Sequence, residues 1–148
     1  MKSELDKAYS WLVDTISYEN LGISITLLEM VKSGSSSTKE EGAPVEGAHL
    51  VYFPGKAQKL KIKFDLVYTF QVVNESCDSG DSSLKLSSDG FLSVVSESDY
   101  LNYLREKFSW YEEINGKANL YRLWSENEIL EIYSPCSPEI ESQHLERT

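Results

Sequence analysis

Hydrophobic and polar positions alternate most regularly in the middle of the chain. In KLKIKFDLVYTFQVV the residues Leu60, Ile62, Phe64, Leu66, Tyr68, Phe70 and Val72 all fall on one side, a period of two that predicts a strand with one buried face. Positions 60 to 72, at roughly 3.3 Å each, would span about 43 Å, more than one strand of a domain this size usually covers, so the pattern predicts a bend or bulge near Asp65.

Other stretches carry shorter signals. Leu5, Tyr9, Leu12 and Ile16 recur at helical spacing, with Ser3 as a cap and Asn20 and Gly22 as a stop, which predicts a helix over residues 3–18. GISITLLEMV alternates Ile23, Ile25 and Leu27 with Ser24 and Thr26 and predicts a strand. AHLVYFPG is a short strand closed by Pro54 and Gly55, LKL around Leu84 and Leu86 another, and FLSVV after Gly90 a third. SESDYLNYLREKF has Ser96 and Asp99 at capping-box spacing and an apolar face of Leu101, Leu104 and Phe108, predicting a second helix. SWYEEINGKAN leads through a turn at Asn115 and Gly116 into LYRLWSENEILEIYS, which reads as a hairpin.

The order of elements predicts an α+β fold: a bent antiparallel sheet with about two helices packed on one face. Residues 32–47 and 74–89 are polar loops and residues 138–148 a flexible tail. The helix and strand before residue 32 are too few to close a core, so residues 1–148 form a single domain.

Charge narrows the partners. Against 14 Lys and Arg stand 24 Asp and Glu, a net charge of −10, which disfavours nucleic acid and anionic membranes and favours a basic partner or simple solubility. Acids at Glu4, Asp6 and Asp14 exclude a secretory signal, and no apolar run reaches the roughly 18 residues of a span; the expectation is a cytoplasmic protein. Cys77 and Cys136 lack metal-ligand spacing and read as thiols, with a single disulfide between them as the alternative.

Most site chemistry finds no pattern. His49 and His144 sit in no nucleophile context, and no zinc spacing, EF-hand, GxGxxG or P-loop occurs. The expectation is therefore no catalytic residue, no metal and no cofactor. Lys56, Lys59, Lys61 and Lys63 form a basic stripe whose aromatic neighbours lie on the opposite face, so it reads as a solvated or edge-guarding face and not a nucleic-acid groove. An enzyme using a carboxylate would require Glu112 or Glu131 buried in a cleft. What remains is aromatic residues beside acids: Trp110, Tyr111, Glu112 and Glu113, and Trp124, Glu126 and Glu128. Rings supply buried area and carboxylates steer and pair, the composition of a surface that meets a basic protein; the competing reading is that Trp110 and Trp124 complete the core and the glutamates are hydrated charges.

The stretches DLVYTFQVVNES, SESDYLNYLREKFSWY and LYRLWSENEILEIYSPCSPEI, about a third of the chain, resemble small bacterial polymorphic-toxin immunity proteins and their uncharacterised relatives. In that pattern a strand ends in an acid, here Glu75, a short Ser-x-Tyr-Leu helix follows, and a hairpin runs to a proline-bounded end. The resemblance implies a non-enzymatic protein that binds and neutralises one partner, such as a basic toxin domain; it transfers no residue role. The alternative expectation is a small-molecule binding domain with an apolar pocket, in which Tyr68 and Tyr103 supply polar groups.

Overall fold

A computed structural model describes residues 4–32, 50–51, 58–77 and 80–143. The fold is α+β, with two helices and two antiparallel sheets. A 3-10 turn at Glu4–Lys7 leads into strands β1 (Ser10–Glu19) and β2 (Gly22–Lys32). Strands β3 (Leu50–Val51), β4 (Lys59–Phe64) and β5 (Thr69–Asn74) follow, then β6 (Lys85–Leu86) and β7 (Leu92–Glu97). Helices α1 (Asp99–Lys107) and α2 (Ser109–Asn115) precede the hairpin β8 (Asn119–Trp124) and β9 (Glu128–Ser134), and β10 (Glu139–Gln143) closes the described chain.

The first sheet runs β1-β2-β4-β10 with β3 pairing β2, and the second runs β5-β9-β8-β7-β6. Their inner faces stack: Ile23, Ile25, Leu27, Leu60, Ile62 and Phe64 of the first meet Tyr121, Leu123, Leu130 and Ile132 of the second in one core. The other face of the second sheet carries Val95, Leu120 and Tyr133, which take Leu101 and Leu104 of α1. The layers are therefore sheet, sheet and helix, with both helices on one side.

The break expected near Asp65 is a change of sheet. Up to Phe64 the chain lies in the first sheet, residues 65–68 cross, and from Thr69 it pairs with β9 in the second. Phe64 and Phe70 pack on the same core, but period two does not run through the crossing: Val67 is the residue buried there, Tyr68 packs on the other face of the second sheet, and Val72 is exposed. Gly22 permits the tight approach at this end, since a Cβ there would lie 2.7 Å from the Phe64 carbonyl oxygen.

Of the helix expected over residues 3–18, the described residues form a 3-10 turn at Glu4–Lys7 and, from Ser10, strand β1. The strand has a bulge at Asp14, where the register passes from Val13 opposite Leu27 to Thr15 opposite Thr26. Before it the odd residues Trp11 and Val13 face the core, and after it the even residue Ile16 packs there. The extra residue breaks the alternation that marks a strand, while Tyr9 and Leu12, two of the four residues at helical spacing, lie off the core. Trp11 is fully buried, its indole N–H donating to the Leu5 carbonyl at 2.8 Å.

The helix over SESDYLNYLREKF forms, but its cap is Ser98, whose Oγ accepts from Leu101 N at 2.9 Å. Ser96 is still in β7. SWYEEIN, read as a connection, is the second helix. The brief strand at Leu86 and the strand after Gly90 are β6 and β7.

The tail expected over 138–148 is a strand as far as Gln143. Glu139 stands opposite Lys63 and Glu141 opposite Lys61, while Ile140 opposite Ile62 packs against the core. The basic stripe is thus faced by acids from a neighbouring strand, a cross-strand charge ladder. Residues 33–47 of the first polar loop, most of the AHLVYFPG strand, Lys56, His49 and His144 lie outside the described residues. Cys77 and Cys136 are free thiols.

Candidate functional site

The two aromatic and acidic stretches sit at opposite ends of the β8–β9 hairpin. Helix α2 precedes Asn119, whereas residues 125–127 form the tip beyond Trp124. Five strand residues at roughly 3.3 Å separate them by about 17 Å, so they do not form one patch.

The tip is docked. Asn127 accepts from Val13 N at 2.9 Å and donates to Val13 O at 3.1 Å, and Glu126 N donates to Trp11 O at 2.9 Å. The Glu126 carboxylate accepts from Ser10 Oγ at 2.7 Å, and the Trp124 ring stacks on Phe91 with centroids 6.3 Å apart. Glu128 is half-buried, one carboxylate oxygen shielded and without a hydrogen-bond partner. Of the three candidate residues Glu126, with Asn127 beside it, holds the first strand against the second sheet.

Helix α2 has the reverse polarity. Trp110 and Ile114, one turn apart, are 63% and 74% exposed, whereas the Glu112 side chain is only 11% exposed. Glu112 accepts from the Tyr133 hydroxyl and pairs with Arg105 Nη1 at 3.3 Å, and the same Nη1 donates to Ala118 O at 2.7 Å. Burial, then the hydrogen bond to Glu112, pushes the Tyr133 phenol far above its usual range. Glu112 is thus a bolt between helices and sheet, and of the acids in WYEE only Glu113 is exposed.

A groove of about 400 Å³ runs beside α2. Phe108, Trp110 and Tyr111 line one side; Tyr18, Leu21 and Tyr68 line the other. Tyr68 meets Tyr111 edge-on at 4.9 Å and donates its hydroxyl to Gly116 O at 2.7 Å. Tyr103, the other phenol expected in an apolar pocket, is not on its lining; it stacks on Tyr100 at 6.4 Å.

Leu21 reaches this groove at a conformational cost. The β1–β2 turn has Asn20 at φ 52° and Leu21 at φ 68°, both left-handed, and the second position of such a turn favours glycine. Leu21 is nevertheless 59% exposed, with its carbonyl held by Val67 N at 2.8 Å. No sequence signal short of the Glu19–Gly22 pairing reveals it.

A second concavity, about 480 Å³, lies on the outer face of the second sheet beyond the helices. Its floor is a row of side chains from neighbouring strands: Gln71 and Arg122 each stand opposite Glu131. Glu131 accepts from Gln71 Nε2 at 2.8 Å and lies 3.7 Å from Arg122 Nη1. Glu131 is 6% exposed at the foot of this cleft, as a carboxylate enzyme would require, but one of its oxygens is taken by Gln71 and the other by Arg122. Asp81 stands at the rim, where bonds from the Ser83 hydroxyl and then the Asp99 backbone N–H lower its carboxyl below the usual range.

Among the described residues no group of three or more His, Cys, Asp or Glu is placed to hold a metal ion, and no helix is long and apolar enough to cross a membrane. No family model matches the chain, and neither a curated protein nor a solved structure matches it.

Proposed function

We propose that this chain is a non-catalytic, cytoplasmic protein-binding domain whose contact surface is the outer face of α2 together with the Leu21 turn. The observation that carries the reading is the inverted helix: α2 exposes Trp110 and Ile114 and turns Glu112 inward. An isolated folded chain gains nothing from that arrangement, whereas a partner covering Trp110, Ile114 and Leu21 gains apolar burial at an aromatic anchor. Glu19, Glu106 and Glu113 are exposed and Lys107 lines the groove; with a net charge of −10 the balance favours a basic partner and rapid, salt-dependent association. Neutralisation of a basic toxin domain is one function of this form.

The test is a pull-down with the tagged full chain from the source organism at low and moderate salt, followed by titration of the purified partner. Trp110→Ala is expected to weaken binding at least about tenfold, the cost of losing a hot-spot ring. Undiminished affinity in this variant would remove the α2 face from the account. A small apolar ligand is the second reading of the same groove, favoured by its volume and by Tyr68 on its wall.

A further inference from the structure

The outer face of the second sheet changes character along its length. Where α1 and α2 cover it, the face is apolar, with Leu120, Val95 and Tyr133. Beyond them it holds Gln71, Glu131 and Arg122 under the open cleft. A solvated sheet face would leave these side chains in water, yet those of Glu131 and Arg122 are only 8% and 13% exposed. Burying an ion pair costs desolvation that an apolar pair of similar size avoids, so its retention beneath an opening calls for a use.

The chemistry of the cleft selects a ligand class. Glu131 and Arg122 offset each other's charge, so the floor offers no net charge to an ion. Exposed Asp99 and the rim carboxylate of Asp81 leave the lining net acidic, which disfavours anions and makes a cation the class that competes with a neutral ligand. Carboxamide, carboxylate and guanidinium together present donors and acceptors in one line, with strands about 4.8 Å apart, and a hydroxyl group answers both kinds. Tyr100 on the α1 wall and the cross-strand pair Val73 and Ile129 add apolar surface, which suits the C–H faces of a sugar ring. The volume lies in the range of small-molecule sites.

We propose that the cleft over Gln71, Glu131 and Arg122 binds a neutral, hydroxyl-rich ligand, a mono- or disaccharide unit. It is separate from the α2 groove and does not depend on the protein-binding reading.

Saturation-transfer NMR and calorimetry on the full chain test it, using glucose, galactose, mannose and N-acetylglucosamine against galacturonate, glucosamine and arginine. At least one neutral sugar is expected to bind at about 10 mM or below, at least about tenfold tighter than the charged probes. Gln71→Ala, on a half-exposed edge-strand residue, is expected to weaken that binding about tenfold, and Val73→Trp to abolish it by filling the cleft. Circular dichroism confirms that both variants fold; should one not, Tyr100→Ala takes its place, with a loss of about fivefold or more expected. Absence of binding by every neutral sugar, preference for a charged probe, or affinity unchanged in the folded variants would overturn the proposal.

Discussion

WYEE at 110–113 and WSENE at 124–128 look alike as strings, yet the fold spends them differently. At the hairpin tip the backbone of Trp11 and Val13 is within reach, and Glu126 and Asn127 are consumed in holding it. On α2 the acid that points inward meets Arg105 and Tyr133, so the ring is the part left outside. The lesson is that a mixed aromatic and acidic stretch becomes a surface or a joint according to which neighbouring element can satisfy its polar half. Exposure of Trp110 follows from the burial of Glu112.

The sharpest way to break this comparison lies inside WYEE itself. Glu112→Ala strands a buried phenol and a guanidinium and is expected to cost about 2–3 kcal/mol in urea unfolding, while Glu113→Ala stays within about 0.5 kcal/mol. Equal effects would mean that the helix is not bolted through Glu112. Asn127→Ala removes both bonds to Val13 and is expected to cost about 2 kcal/mol, against a change within about 0.5 kcal/mol for Trp110→Ala.

The neutral Tyr133 phenol gives the same joint a pH signature. Its folded pKa is raised, so its contribution is complete below the unfolded value near 10 and is lost as pH climbs from there toward the folded value. The alkaline loss of stability above about pH 10 is expected to be smaller in Tyr133→Phe, measured by thermal melts across that window. Leu21→Gly relieves the left-handed strain and is expected to raise stability by about 0.5–1 kcal/mol while weakening partner binding. A residue kept only for folding would not separate the two signs. The smallest effect is optical: Trp110→Phe should remove most of the acrylamide-quenchable emission, because Trp11 is fully buried and Trp124 half-buried.

Alternation that repeats over several residues was legible in the sequence. KLKIKF and GISITLL gave their strands, and the Asp65 break was foreseen because no single strand is that long. What escaped was set by partners distant in sequence. The Asp14 bulge broke the alternation of β1, and EIESQ looked like a tail because its Glu-Ile-Glu alternation acquires meaning only beside Lys-Ile-Lys. SWYEEIN was hidden for a related reason: its apolar residues lie on the wrong side for a helix packed through its apolar face, since what it buries is Glu112. In the candidate site Trp110 and Tyr111 stand out by composition, and the structure puts both on the groove lining. Leu21 and the Gln71–Glu131–Arg122 row needed the hairpin pairing and the strand order.

The central claim, that α2 and not the hairpin tip meets a partner, is tested most directly by placing a photo-crosslinking amino acid at position 114 or at position 126 and irradiating cells that contain the full chain. The account predicts one basic protein joined at 114, reduced by added salt after lysis and absent at 126. A partner captured at 126 alone, or the same yield at both positions, would contradict it.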